Sequence, residues 1–471
     1  MPQVLSKLPL SAPLVTTCFE YVHPWKQSCS TAIAGCFLYC VFDSLRIYGT
    51  VYLCTLLMKG RIPNRSDLQK TLYGILQSTA FLSFTGFGYS FFLCTLRSVL
   101  GHFNLLTVSF FPAFLASVFA ILIERPSRRT LLCLYVSNVA TETVWNMALS
   151  QGLVKNIPYG DVAIFGGSMA VLLAYYKGGH HKEIPDAMFK ILRFVVGPHE
   201  EKDSGIRSEC ESNMIYRQQV PAAGTPGPHY SGVHKNFIWS LLMQMLRMYK
   251  KTIHQVKCLG RHSSCPHPFS CIYYVLGGAG KMFSVGLGIQ VTLKLVLNIR
   301  KILASPAAGK QIFVRKDILN LGLFLGLYSG VFRGSLCILR RIFGKDDPSF
   351  AFPASLLAGL AFKKYPDTTV ALYVMWKAAQ ITYNIGTLKG YLPKVPGFTE
   401  FLYCLSTGIL FHAAILEPTN LRPSYWKFLH SISGGRIACM ARGPLDVWGL
   451  NTSESLAQVL KTTKTIPVVY F

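Results

Sequence analysis

Apolar residues along this chain gather into segments close to bilayer length, separated by short runs of lysine and arginine. Five such segments cover roughly 33 to 57, 72 to 96, 103 to 123, 131 to 149 and 161 to 176. A second five follow near 274 to 299, 318 to 339, 349 to 362, 368 to 386 and 399 to 416. A helix needs about 17 to 25 apolar residues to cross a bilayer, which the first five approach. The fourth is the most polar, interrupted by Asn138, Thr141, Glu142, Thr143 and Asn146. Between the sets, Gly197 to about His234 is rich in Pro, Gly, Ser and charge and reads as a linker. It leads into FIWSLLMQMLRMYKKTIHQVK from Phe237, apolar first and basic after, which suits either a membrane interface or a soluble helix.

Within the segment that begins at Ile318, glycine stands at 322, 326, 330 and 334. On a helix this forms a slowly winding stripe about 18 Å long. Each glycine costs roughly 1 kcal/mol relative to alanine in a helix, so the stripe implies a return from packing. In lipid that return comes from close approach of two helix backbones. Gly322, Gly326, Gly330 and Gly334 are therefore expected to dock against another helix.

The two sets also match in sequence. LCTLRSVLG from Leu93 recurs as LCILRRIFG from Leu336, and FPAFLASVFAI from Phe111 as FPASLLAGLAF from Phe352. LCLYVSNVATETVWN from Leu132 matches VALYVMWKAAQITYN from Val370; Lys155 to Pro158 matches Lys394 to Pro396, and PDAMFKILRFVVG from Pro185 matches PSYWKFLHSISG from Pro423. A nearly constant offset marks two copies of one unit. The expected fold is all-α, a multi-pass transmembrane helical bundle of two sequence repeats with four to five helices each. Its expected divisions are a Cys/His head at 1–32, repeat 1 at 33–196, and a linker with an amphipathic basic helix at 197–257. A Cys/His segment with repeat 2 follows at 258–435, then a tail at 436–471. Matched loops are basic in both copies: Lys59, Arg61 and Arg65 against Arg300, Lys301, Arg315 and Lys316, and Arg125, Arg128 and Arg129 against Lys363 and Lys364. An even number of crossings gathers this charge on one side, favouring four per copy.

Composition agrees with a membrane setting: 51% of residues are hydrophobic and only 14% charged, against about 25% charged in soluble domains. The net charge of +26 sits in short loops, suiting lipid head groups and topology control rather than nucleic acid. No G-x-S-x-G, H-E-x-x-H or Walker A motif is present, so neither an enzyme nor a cofactor is expected. His180 and His181 read as solvated loop residues. No cleavable secretory signal is expected, and PVVYF is not a tripeptide peroxisomal address, so any organelle address is expected to be internal.

Cysteine and histidine cluster ahead of the first apolar segment of each copy. Cys18, His23 and Cys29 form one group, and Cys258, Cys265, His267 and Cys271 the other, with HPWKQSC and HPFSC as counterparts. These groups admit unliganded thiols, disulfides or a soft-ligand metal site. Cys40, Cys54, Cys94, Cys133, Cys337 and Cys404 lie inside apolar runs and read as packing residues. Four charges fall within the segments. Asp43 and Arg46 share a helix face, and Glu142 and Lys377 occupy matched segments where pairing across a pseudo-twofold is conceivable. An unpaired charge in mid-bilayer costs on the order of 3 kcal/mol, so each should face protein or water, as internal glue or as a polar path.

KMFSVGLGIQ from Lys281, AILIERPSRR from Ala120, VATET from Val139 and LRPSYWKFL from Leu421 resemble the transmembrane protein 135 family, peroxisomal membrane proteins of the 52-kDa class, and the head at Cys18 to Cys29 fits as well. The glycine stripe and repeated unit are similar, more loosely, to channel-forming subunits of mitochondrial inner-membrane preprotein translocases. The family resemblance implies mitochondrial and peroxisomal membranes, a part in the balance of mitochondrial fission and fusion, peroxisome organisation and lipid handling. It supplies no catalytic residues. The leading expectation is a non-enzymatic regulator embedded in the bilayer that presents basic loops and linker to a partner such as a dynamin-related fission GTPase. The rival is a translocator of a lipid, solute or polypeptide along Glu142, Lys377, Asp43 and Arg46.

Overall fold

The computed structural model describes residues 13–58, 64–201, 237–258, 260, 262–304 and 317–469. Its main helices are α1 Cys18–Tyr21, α2 Cys29–Met58, α3 Arg65–Leu100, α4 Phe110–Ile123, α5 Pro126–Ser150, α6 Gly160–Lys177, α7 Ala187–Val196 and α8 Phe237–Cys258. They continue with α9 Cys271–Ala304, α10 Ile318–Phe343, α11 Ala351–Gly359, α12 Thr368–Leu388, α13 Phe398–Leu416, α14 Pro423–Ile432 and α15 Thr452–Thr463. Among the described residues no strand forms beyond an isolated bridge between Leu14 and Phe103. The boundaries follow local chemistry. The Asp186 carboxylate accepts from the Met188 amide at the start of α7, and that of Asp367 accepts from the Val370 amide at the start of α12. Proline opens α5 and α14, where its missing N–H is no loss, and left-handed Gly101 and Gly344 close the matched helices α3 and α10.

Five of these helices are long and apolar enough to cross a bilayer: α2, α3, α9 over Cys271–Ile299, α10 and α13. The first block thus supplies two and the second three, fewer than the four in each that loop charge favoured. The reason is local. At 14 and 9 residues, α4 and α11 extend about 21 and 14 Å, short of a hydrocarbon layer of about 30 Å. The remaining matched helices α5, α6 and α12 are long enough but less apolar. The linker residues 202–236 and the loop residues Lys59, Arg61, Arg315 and Lys316 lie outside the described residues, as do the side chains of Arg300 and Lys301.

Two compact units form, and they do not coincide with the sequence blocks at 33–196 and 258–435. Unit 1 comprises Met1–Ile157 with Lys394–Phe471, and unit 2 comprises Pro158–Pro393. Each block is thereby split at a matched point: α6 and α7 leave the first for unit 2, and α13 and α14 leave the second for unit 1. In unit 1 the α2–α3 hairpin packs on α4, and α13 packs on α4 and α5. In unit 2 the α9–α10 hairpin packs on α11, and α6 packs on α11 and α12. The tail expected at 436–471 is part of unit 1, burying Trp448 and Leu445 beside Trp426 and Leu416. In unit 2, Phe165 of α6 stacks on Phe362 at 4.2 Å and meets Phe324 and Tyr328 of α10 edge-on. Backbones also touch there, since a Cβ on Gly359 would stand 2.6 Å from the Cα of Gly166.

The glycine stripe of α10 faces α9. A methyl on Gly322 would lie 3.0 Å from the Phe283 carbonyl oxygen, one on Gly326 would lie 3.1 Å from that of Ala279, and one on Gly330 3.1 Å from the Ala279 Cβ. Gly286 of α9 completes the seam, because a Cβ there would meet the Cα of Gly322 at 2.8 Å. The seam opens at Gly334, whose nearest neighbour, Val275, is an ordinary 3.9 Å away. Gly286→Ala and Gly322→Ala are therefore expected to destabilise the chain by about 1–3 kcal/mol through overpacking. Gly334→Ala should be neutral or gain up to about 1 kcal/mol of helix propensity. Thermal unfolding of the full chain in detergent, followed by circular dichroism, checks the contrast; equal effects at all three positions contradict it.

Candidate functional site

Each unit carries a quartet of soft donors at one end of its helical hairpin. In unit 1 the Thr17 hydroxyl accepts from the Glu20 amide while the Glu20 carboxylate accepts from the Thr17 amide, a capping box that fixes the short turn opened by Cys18. The head is fastened to the end of α3 by the Leu14–Phe103 bridge and by Arg97, whose Nε donates to the Thr16 carbonyl at 2.8 Å. His23 is 2% exposed, follows α1 in a tight turn, and donates Nδ1–H to the Lys26 carbonyl at 2.7 Å. A carbonyl can only accept, so the proton sits on Nδ1 and Nε2 points to the Cys29 sulfur at 3.3 Å.

Unit 2 repeats this pattern. His267 is fully buried, places Nδ1 2.6 Å from the Phe269 carbonyl, and turns Nε2 to the Cys337 sulfur at 3.5 Å. Cys265 and Cys271 bring their sulfurs to 3.9 Å. The one-ligand atoms of Cys18, His23, Cys29 and Cys94 lie within 4.8 Å of one another, as do those of Cys265, His267, Cys271 and Cys337. None of these cysteines is in a disulfide. The Cys18 thiol is held below its ordinary value by the hydrogen bond from Cys94, then by Cys29 and His23, against the opposing effect of burial. Cys265 is lowered likewise, chiefly by Cys337, with His267 contributing. Three thiols, one of them acidified, and one imidazole lone pair form a donor set for a soft cation in each unit.

Cys94 and Cys337, expected as packing residues, are instead the fourth member of each quartet. They occupy the same column of the matched LCTLRSVLG and LCILRRIFG motifs, which is the signal that could have found them. Cys258 ends α8, and its side chain lies outside what the structure describes.

The charges inside the segments are paired within their own units, and Glu142 and Lys377 do not meet across a pseudo-twofold. Glu142 pairs with Arg422 in unit 1. Lys377 pairs with Asp186 at 2.8 Å and donates to Gln380 in unit 2. Among the described residues no ion pair joins Asp43 to Arg46: Asp43 accepts from the Ser431 hydroxyl, and Arg46 is exposed. His181, expected as solvated, is engaged with Glu201 at 2.8 Å. Two charged groups inside α10 went unnoticed in the sequence. Arg333 fills the space beside Gly278 and donates to the Val196 and Tyr274 carbonyls at 3.1 and 3.2 Å. Arg340 pairs with Glu200, itself fully buried and bonded to the Tyr274 hydroxyl at 2.8 Å. The Tyr274 ring stacks on His267 at 4.4 Å, so the second quartet is joined to this charge pair.

Burial pushes the Glu200 carboxyl up, but Arg340 and Lys177 outweigh it and hold it down to about 2. A carboxyl lowered on folding stabilises above its unfolded value of about 4.3, and that stability drains away as pH falls toward the folded value. Arg340→Met leaves Glu200 buried with the Tyr274 hydroxyl and, as its remaining cation, Lys177 at 3.6 Å, and is expected to cost about 3–5 kcal/mol. Adding Glu200→Gln should recover part of the loss and flatten the acid limb. Thermal melts of the three chains between pH 3 and 7 check both.

Residues 15–149 match the family model for the N-terminal cysteine-rich region of Transmembrane protein 135. No solved structure matches the chain. The matched span runs from the head that carries Cys18, His23 and Cys29 through Cys94 to the end of α5, so this part of the chain, which includes the candidate membrane spans α2 and α3, is similar to the cysteine-rich region of the transmembrane protein 135 family.

Proposed function

We propose that this multi-pass membrane protein is a non-enzymatic regulator in mitochondrial and peroxisomal membranes, acting on the balance of mitochondrial fission and fusion and on peroxisome organisation, with a link to lipid metabolism. The observation that carries the choice over a translocator is the pairing of Glu142 with Arg422 and of Lys377 with Asp186. Charges that neutralise one another inside a unit behave as internal glue, whereas a path for cargo needs groups open to it. The like packing of matched helices in both units supports the reading of the chain as two copies of one element, with the fifth and sixth helices exchanged.

Of the basic loops and the linker, it is the basic helix at the end of the linker that is open to a partner. Arg125 donates to Gln77 at 2.9 Å, Arg128 lies 3.6 Å from Glu124, and Arg129 pairs with Glu400 at 3.1 Å, so these three arginines close unit 1. The exposed cations Arg247, Lys250 and Lys251 of α8 are better placed to meet an acidic surface, on a fission GTPase of the dynamin-related kind. In cells lacking the chain, a version with Arg247, Lys250 and Lys251 all changed to Gln is expected to fail in restoring mitochondrial length. Versions with Glu142→Gln plus Arg422→Met, or Lys377→Met plus Asp186→Asn, should restore it. Liposomes holding only the purified chain should pass no solute or lipid. A flux abolished by Glu142→Gln or Lys377→Met overturns the regulator and establishes the translocator.

A further inference from the structure

We propose that the chain binds two structural zinc ions, one on Cys18, His23, Cys29 and Cys94 and the other on Cys265, His267, Cys271 and Cys337. This goes beyond the regulatory reading and stands apart from it, since either a regulator or a translocator can be stapled by metal.

The first argument is geometric. With Zn–S near 2.3 Å and Zn–N near 2.0–2.1 Å, a tetrahedral site sets its sulfurs about 3.8 Å apart and sulfur to nitrogen about 3.6 Å apart. The quartets give 3.9 Å between Cys265 and Cys271, 3.5 Å between Cys337 and His267, and 3.3 Å between Cys29 and His23. All four donor atoms of each quartet fall within 4.8 Å of one another, so one small ion reaches every one of them. A disulfide needs sulfurs at about 2.05 Å, far closer than the 3.9 Å seen. An iron–sulfur cluster spreads its cysteines over several irons and needs a wider cage.

The second argument is the support behind the ligands. Metal-bound histidine commonly donates its other N–H to a backbone carbonyl, which fixes the tautomer and aims the ring. Both histidines do so, His23 to Lys26 and His267 to Phe269, and both are buried. Two loops of different length have thus produced one arrangement twice, with a single residue between cysteine and histidine in the second copy and four in the first. Neither spacing is a known zinc motif; the tertiary fold makes the site.

The third argument is placement. In each unit one cysteine begins a hairpin helix, Cys29 of α2 or Cys271 of α9, and another sits near the end of its antiparallel partner, Cys94 of α3 or Cys337 of α10. The remaining two ligands come from the preceding loop. An ion there ties three chain segments together and leaves no open coordination position, which is the mark of a structural rather than a catalytic zinc.

The test uses the full chain, expressed without a polyhistidine tag and purified in detergent under reducing conditions. Plasma mass spectrometry is expected to find about two zinc ions per chain. Cys94→Ser and Cys337→Ser should each halve that content, the double variant should abolish it, and Cys404→Ser, a buried cysteine outside both quartets, should leave it unchanged. X-ray absorption at the zinc edge of the unmodified chain should show three sulfurs and one nitrogen, a readout that does not depend on any variant folding. Zinc-free monodisperse protein, zinc retained by the double variant, or a shell dominated by oxygen each overturns the proposal.

Discussion

Helix backbones can touch only where neither carries a side chain at the crossing, and Gly286 against Gly322 meets that condition in unit 2. The contact does more than bring α9 and α10 together. It sets their antiparallel register, which in turn carries Cys271 at the start of one helix to Cys337 near the end of the other. On α10, Gly322, Gly326 and Gly330 point to α9, while Phe324, Tyr328 and Phe332, two residues on in each case, are turned by about 200° toward the core. One helix therefore serves two partners with two kinds of surface, flat on one side and aromatic on the other. Arg333 is accommodated by the same economy of side chains, its guanidinium lying over Gly278.

The two quartets are alike in donors and differ in how they are fastened. In unit 1 the head is held from outside the quartet, by the Leu14–Phe103 bridge, the Tyr21–Phe103 edge contact and the Arg97 bond to Thr16. In unit 2 the fastening is electrostatic and buried. His267 lies on Tyr274, the Tyr274 hydroxyl donates to Glu200, and Glu200 is clasped by Arg340 one turn beyond Cys337. That chain of contacts makes the segment after α7 a structural support of the second quartet.

The glycine stripe was legible because a period of four inside an apolar run has few other meanings, and the long helices because apolar length alone specifies them. The quartets were legible only in part. Cys18, His23 and Cys29 are close in sequence, but Cys94 comes from far along the chain, and a lone cysteine in an apolar helix is ordinarily a packing residue. Glu142 and Lys377 were recognisable as costly charges, whereas Arg422 and Asp186 stand at helix starts where charge is unremarkable. Exchange of α6 and α7 for α13 and α14 leaves no trace in a sequence, since which unit a helix joins is decided by contacts far along the chain. The short span of α4 and α11 was hidden for another reason: flanking apolar loop residues lengthen the hydropathy signal beyond the helix itself.

That exchange has a consequence for how the molecule comes into being. Unit 2 is one continuous stretch, Pro158–Pro393, whereas unit 1 draws on both ends of the chain. During synthesis the first five helices must therefore wait, their groove for α13 unfilled, while the whole of unit 2 emerges. Neither half of the chain contains a complete unit, so a transcript stopped in the linker yields α2 to α5 without the helix that covers them and α6 without the hairpin it serves. The second-made unit is the one that begins first, and its closure is the last event in assembly.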